Sequence, residues 1–203
     1  MLLAPRTAAS GEAPSASGFE FAFRSGFVIP AGNSTTEGAL SNGVGIQIPL
    51  VADVGYRLNE HIFIGVTGQY TFDTSGNGGC VFDANCSAHD ARVGAEVELH
   101  PRGRAAFDPW FGVGFGYEWL SSRNTSFGST QSMTFRGFDF LVVDIGLDFA
   151  LGKFRVGPFA SFAMGQFDHA TGRDDDGNPS SFSIDAKSLH YWFSVGLKLT
   201  LSP

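Results

Sequence analysis

Apolar and polar residues alternate along most of the chain, and the last such segment shows the pattern most clearly. In SLHYWFSVGLKLTL, residues 188–201, every second residue from Leu189 to Leu201 is large and apolar, and those between are mostly small or polar. A period of two predicts a β-strand with one apolar face and one mixed face. At about 3.3 Å per residue and a tilt of about 40°, this strand covers roughly 30 Å, the thickness of a bilayer's hydrocarbon core.

The same alternation predicts seven further strands and, with them, the fold. They span residues 18–29, 44–58, 62–72, 87–99, 107–120, 133–151 and 154–167. Long polar connections follow the first, third, fifth and seventh strands, and short turns follow the others, as in an up-and-down barrel. The prediction is therefore an all-β chain that forms an eight-stranded antiparallel up-and-down transmembrane β-barrel, with the last strand closing the ring against the first.

Two strands have a less regular pattern. The sixth changes phase in its first half, where we expect a β-bulge near Gly137. In the seventh we assign Pro158, Ala160, Phe162 and Met164 to the apolar face. The segment that follows, residues 168–183, contains GRDDDGNPSS and is predicted to be a loop.

The composition of the two faces indicates which one points inward. A soluble barrel of the lipocalin type would enclose its apolar face, whereas an outer-membrane barrel encloses its polar face. Here the polar face has many glycines and few charges for a solvated surface, and the apolar face carries aromatic residues toward the strand ends. We therefore expect the apolar face to contact lipid and the charges, which have both signs, to pair in the lumen. These charged residues are Glu20, Arg24, Asp53, Arg57, Asp90, Arg92, Glu96, Glu98, Glu118, Asp144, Asp148 and Lys198.

Composition limits the possible classes of function. The 203 residues carry a formal net charge of −7 and a pI near 5.1, which argues against nucleic-acid binding. No run of about 18 apolar residues is present, so the sequence predicts no membrane-spanning helix. We expect residues 1–17 to be a disordered lead, either a signal-peptide remnant or a start internal to a longer reading frame, and residues 18–203 to be the barrel.

Several alternating segments carry a resemblance to a known family. They are GFEFAFRSGFVIP, PLVADVGYRL, IFIGVTGQYTF and FDPWFGVGFGYEWL, together with the last strand. The chain resembles the small eight-stranded outer-membrane β-barrels of Gram-negative bacteria, OmpA- or OmpX-like in build, over residues 18–203. The resemblance implies an integral protein of the bacterial outer membrane, with short turns in the periplasm and long loops outside the cell. It specifies an architecture and not an activity.

The two cysteines, Cys80 and Cys86, lie in a segment rich in Gly, Asn and Asp. Five residues separate them, and we expect a disulfide, with two free thiols as the alternative. A zinc site would need two more ligands, and His89 alone does not supply them.

A few other polar residues could carry chemistry. A lipid-modifying enzyme could use Ser87, His89 and Asp90, or Asp168 and His169, or His190, but ordinary rim or lumen residues are the favoured interpretation. The run Asp174 to Asp176 is similarly favoured as an exposed acidic loop over a calcium site.

We predict a monomeric, non-enzymatic barrel without cofactors, with a structural or interaction role. Its partners would be outer-membrane lipid and, through four external loops, molecules outside the cell or in the envelope. Because an eight-stranded barrel has room only for packed side chains, the lumen should be plugged and should conduct little. The alternative is binding or narrow transport of small apolar ligands through the barrel or its wall, and a lipid-modifying enzyme is a third possibility.

Overall fold

The computed structural model describes residues 17–34, 38–42, 44–73, 85–103, 105–126, 129–173, 178–185 and 187–201. Within these ranges the chain forms nine β-strands and one short 3-10 helix. No helix among the described residues is long and apolar enough to cross a membrane.

The strands follow the alternating segments of the sequence. The 3-10 helix, Leu40–Asn42, lies between the first two strands. The strands are β1 (Gly18–Gly32), β2 (Gln47–Asn59), β3 (Ile62–Asp73), β4 (Asn85–Leu99), β5 (Phe107–Ser126), β6 (Ser129–Leu151), β7 (Phe154–Arg173), β8 (Pro179–Ser183) and β9 (Leu189–Leu201).

Eight of the nine strands form a closed antiparallel ring. Neighbours follow the order β1 to β7 and then β9, which returns to β1. The closing pair joins Phe21 to Leu201 at one end and Gly32 to His190 at the other. The predicted ring of eight strands, closed by its last strand on its first, is therefore confirmed.

Two of the loop predictions were wrong at the end of the barrel where the long connections lie. β5 and β6 pair as far as Ser126 with Ser129, so most of the segment predicted as a loop at 121–132 is a β-hairpin. β7 extends to Arg173 and pairs with β8, which lies within the loop predicted at 168–183. Strand pairing continues there because the hydrogen bonds between strands are made by the backbone and need no apolar side chains.

The expected irregularity near Gly137 is confirmed. The pairing of β6 with β7 shifts between Arg136 and Gly137 and again between Asp139 and Leu141. The second shift reverses the phase of β6, so Asp139 and Asp144, five residues apart, are both buried. Side chains otherwise alternate strictly between the two faces of a strand, so an extra residue is needed to bring both carboxylates inside.

Burial is inverted relative to a soluble protein. Large apolar side chains on the outer wall are exposed, among them Phe19, Val66 and Leu197 at 68%, 60% and 62%. Charged side chains such as Glu98 and Asp53 are buried on the inner face. Since a soluble barrel would enclose its apolar face, this distribution is that of a barrel with a lipid-facing wall.

Candidate functional site in the barrel interior

The middle of the lumen is built around one arginine. Arg24 of β1 donates from Nη2 to Asp53 Oδ1 at 2.7 Å and to Glu96 Oε2 at 3.1 Å, and from Nη1 to Asp144 Oδ1 at 3.1 Å. These carboxylates come from β2, β4 and β6, so one guanidinium ties together distant parts of the ring. The guanidinium also lies over the ring of Phe159, with Arg24 Cζ 5.8 Å from the ring centroid. Removing the cation would leave three buried carboxylates facing one another.

A second cluster occupies the end of the lumen nearest the short turns. Arg57 binds Glu20 through two hydrogen bonds, Nε to Oε2 at 2.8 Å and Nη2 to Oε1 at 2.7 Å. His100, in the turn after β4, lies between Asp108, 2.9 Å from Nδ1, and Glu98, 3.3 Å from Nε2. A protonated imidazole donates to both carboxylates at once.

The charge state of His100 follows from this environment. Burial lowers the pKa of its imidazole, but the hydrogen bonds with Asp108 and Glu98 outweigh burial, and the pKa is raised above its usual value. The positive charge of Arg57, whose Nη2 lies 3.2 Å from His100 Nε2, lowers the pKa of His100 and so opposes this rise. The balance favours an imidazolium ion that joins the two carboxylates.

Lys198 and Arg155 extend this second cluster. Lys198 of β9 forms an ion pair with Glu98 on the opposite side of the ring, and its ammonium lies 3.9 Å from the centroid of the Trp110 ring. Trp110 donates from Nε1 to Asp148 Oδ1 at 3.2 Å. Arg155 lies 3.8 Å from Asp148 and donates to the backbone oxygen of Ala105 at 2.7 Å. The short-turn end is therefore filled by charged and aromatic side chains.

A third cluster lies toward the long connections. Arg92 of β4 donates from Nε to Asp90 Oδ2 at 2.7 Å and lies 4.5 Å from the ring centroid of Trp192. Its Nη2 is 3.5 Å from Glu118 Oε1, and its Nη1 is 3.8 Å from Asp139 Oδ2. His190 completes the cluster, with Nε2 2.9 Å from Glu118 Oε2.

Apolar side chains pack together above this third cluster. Leu40 of the 3-10 helix, Val44 before β2 and Ile184 after β8 fold inward from the long connections and are buried. They pack with Leu120, Phe167 and other apolar residues of the ring. Between the first and third clusters, a cavity of about 60 Å³ is lined by Arg24, Arg92, Glu96, Asp139 and Asp144, among others.

The twelve charged residues predicted for the lumen all point into it, and the three clusters bring them together. Sequence reasoning missed three lumen charges and did not place His100 there, whereas it had favoured a rim or lumen position for His190. Asp108 and Arg155 continue the inward phase of their strands and could have been found from it. Asp139 could not, because its phase depends on the shift in β6. The missed residues are His100, Asp108, Asp139 and Arg155.

The histidines considered for catalysis have different surroundings. His89 is exposed and stacks on Tyr70 at 5.8 Å, whereas Asp90, the next residue, is buried in the lumen. His169 lies at the rim with Nε2 2.7 Å from Ser181 Oγ. Ser181 belongs to β8, in which every residue is exposed, so this serine–histidine contact is not enclosed.

Three predictions fall outside the described part of the chain. Cys80 and the side chain of Cys86 lie there, so their disulfide stays a prediction. The acidic run Asp174 to Asp176 also lies there, as does the expected lead up to residue 16.

Comparisons with known proteins agree with this geometry. No family model matches the chain, and no curated protein matches it. Among solved structures, Neisserial surface protein A is 11% identical, with 91% of this chain and 97% of that chain covered and a TM-score of 0.55. OprG, an outer membrane protein of Pseudomonas aeruginosa, is 12% identical, with coverages of 93% and 99% and a TM-score of 0.55. A major outer membrane protein from Thermus thermophilus is 14% identical, with coverages of 91% and 99% and a TM-score of 0.53. The chain therefore has the fold of the small outer-membrane β-barrels.

Proposed function

We propose that this protein is an integral barrel of the bacterial outer membrane with a structural or interaction role. The observation that carries the proposal is the inverted burial, in which the outer wall exposes Phe, Leu, Val and Ile while the lumen encloses the charged residues. In water this wall would be an apolar patch far larger than soluble monomers expose. Contact with lipid avoids the free-energy cost of exposing this apolar wall to water. The similarity in fold to known outer membrane proteins supports the same location.

We further propose that the lumen is plugged. This proposal is supported by three ion-pair clusters spaced along the lumen and by the buried apolar cluster around Leu40 and Ile184 at the end toward the long connections. In the outer membrane that end would face outward, with the long connections available for contacts outside the cell. The clusters would then make the cylinder rigid rather than conduct ions.

Recording currents across planar lipid bilayers tests the plugged lumen. Purified barrel, with insertion verified by protection of the strands from protease, should give no stable single-channel steps. Long-lived steps of uniform size from the inserted, folded protein would contradict the proposal.

The transport alternative has less support from the lumen. A path for an apolar ligand needs a continuous apolar tunnel, but the cavity next to Arg24 and Arg92 has a volume of only about 60 Å³, and charged side chains lie among the apolar residues that line it. A molecule the size of a small hydrocarbon would displace buried ion pairs to pass.

One contact bears on a second candidate, a hydrolase at the rim. The contact of Ser181 with His169 at 2.7 Å is the pairing that a serine nucleophile and its base require. An exposed strand supplies neither a substrate cleft nor exclusion of water, so we expect no activity. A fluorophosphonate probe should leave Ser181 unlabelled in folded protein, and labelling that depends on His169 would establish the hydrolase instead.

A further inference from the structure

Three side chains with metal-binding donor atoms converge in the third cluster. Glu118 of β5, Asp139 of β6 and His190 of β9 each offer one such atom, and these atoms lie within 4.8 Å of one another. All three side chains are buried, and each comes from a different strand of the ring. We propose that they form a binding site for a divalent first-row transition-metal ion, with Zn²⁺ as the probe.

The donor atoms are arranged so that one nitrogen faces two carboxylates. His190 Nε2 is 2.9 Å from Glu118 Oε2 and 3.7 Å from Asp139 Oδ1. The imidazole is held in this direction by stacking on Phe167, with ring centroids 4.1 Å apart. A metal ion at this position would replace a proton on Nε2. One imidazole nitrogen with two carboxylates is a donor set that Zn²⁺ and its neighbours bind, whereas Ca²⁺ and Mg²⁺ prefer oxygen alone.

Two carboxylate oxygens of the site lack hydrogen bonds. Among the described residues, neither Glu118 Oε1 nor Asp139 Oδ1 accepts one. The nearest cationic atoms are Arg92 Nη2, 3.5 Å from Glu118, and His190 Nε2, 3.7 Å from Asp139. Leaving a buried oxygen without a hydrogen bond is unfavourable, and coordination to a metal ion would satisfy it.

The charges of the cluster also favour a dication. Asp90, Glu118 and Asp139 contribute three negative charges and Arg92 one positive charge, which leaves −2 when His190 is neutral. Arg92 is closest to Asp90, at 2.7 Å, and so leaves the other two carboxylates less well compensated. One divalent cation would bring the buried cluster to zero charge, which is the inexpensive state in a low-dielectric interior.

The second buried histidine supplies a matched control within the same lumen. His100 also contacts two carboxylates, but Asp108 lies at Nδ1 and Glu98 at Nε2. Its ring separates the two carboxylates, so one ion cannot bind all three groups. The two histidines thus have similar partners and burial, but only the arrangement around His190 allows one metal ion to bind the imidazole and both carboxylates.

A cavity lies beside one member of the trio, Asp139. The cavity of about 60 Å³ is lined by Asp139 and Arg92. A volume of this size accommodates about two water molecules, which could complete a four- or five-coordinate site.

The experiment uses the full chain refolded in detergent micelles with Zn²⁺, followed by removal of free metal and measurement of bound zinc. Wild type and His100→Gln should each retain one Zn²⁺ per chain, and His190→Gln should bind about 100-fold more weakly or worse. Failure of wild type to bind Zn²⁺, or equal binding by His190→Gln, would overturn the proposal, as would equal loss in His100→Gln.

A second measurement covers the case in which His190→Gln does not fold. Wild type loaded with Co²⁺ should show the visible absorption bands of a low-coordinate cobalt ion, and Glu118→Gln, which keeps the shape of the side chain, should lose them. A cobalt spectrum identical to that of the hydrated ion in wild type would refute the site.

Discussion

Replacing Leu197 by arginine places a charge on the outer wall close to mid-height of the barrel. Leu197 is 62% exposed and lies near the middle of the apolar row of β9, which runs from Leu189 to Leu201. An arginine at the midplane of a bilayer costs a barrel roughly 2–4 kcal/mol, and the cost falls to about 0–1 kcal/mol near the interfaces. Leu197→Arg should therefore lower the folding equilibrium constant by about 30-fold to about 900-fold.

Leu201→Arg is the matched control, because it makes the same change on the same face. It lies four residues further along β9, or roughly 10 Å in height at about 3.3 Å per residue and a tilt of about 40°. Urea titration of protein folded into phospholipid vesicles, read by tryptophan fluorescence, gives both free energies of unfolding. Equal costs at the two positions, or a cost below about 0.5 kcal/mol at Leu197, would refute a lipid-facing wall.

Three further predictions concern the lumen and the packing of the ring. Arg24→Leu should destabilise the folded barrel by about 3–5 kcal/mol in the same urea titration, because it leaves three buried carboxylates uncompensated. Its control, Lys153→Leu in an exposed turn, should change stability by less than about 0.5 kcal/mol. Gly146→Ala should cost about 1–3 kcal/mol, since its Cβ would lie 2.5 Å from the buried ring of Trp110, whereas Gly68→Ala, which meets no atom within 4 Å, should be neutral by thermal unfolding. The stability that His100 contributes should be complete below its unfolded pKa of about 6.5 and should be lost as the pH rises through its raised folded pKa. The difference in unfolding free energy between wild type and His100→Gln should therefore shrink from pH 6 toward alkaline pH. A constant difference would contradict a bridging imidazolium.

The alternating pattern was sufficient to predict the ring and the direction of its faces. A period of two fixes which residues share a face, and the scarcity of charge on one face decides which points inward. Leu197 and Lys198, adjacent in sequence, therefore have opposite and predictable environments. The pattern also predicts that Lys198 contacts a carboxylate, because a buried ammonium requires one. It does not predict that this carboxylate is Glu98.

The features that escaped prediction depend on contacts between distant parts of the chain. β8 has no apolar alternation of its own and exists because it pairs with the extension of β7. Leu40 and Ile184 become buried only because they pack with residues distant in sequence, such as Leu120 and Phe167. Asp139 joins His190 and Glu118 only because an extra residue in β6 changes the phase of the strand, and sequence periodicity locates such a shift to within a few residues at best.

The orientation of the two faces can be measured directly with the native tryptophans. Trp119 lies on the outer wall beside Tyr117, at a centroid distance of 4.8 Å, whereas Trp192 is buried in the lumen under Arg92. Variants that keep one of these tryptophans and replace the others by phenylalanine can be folded into vesicles of brominated phospholipid, because bromine quenches indole only on close contact. Strong quenching of Trp119 with little quenching of Trp192 is the predicted result. Equal quenching of both, or stronger quenching of Trp192, would contradict a barrel with an apolar wall in lipid and a charged lumen within.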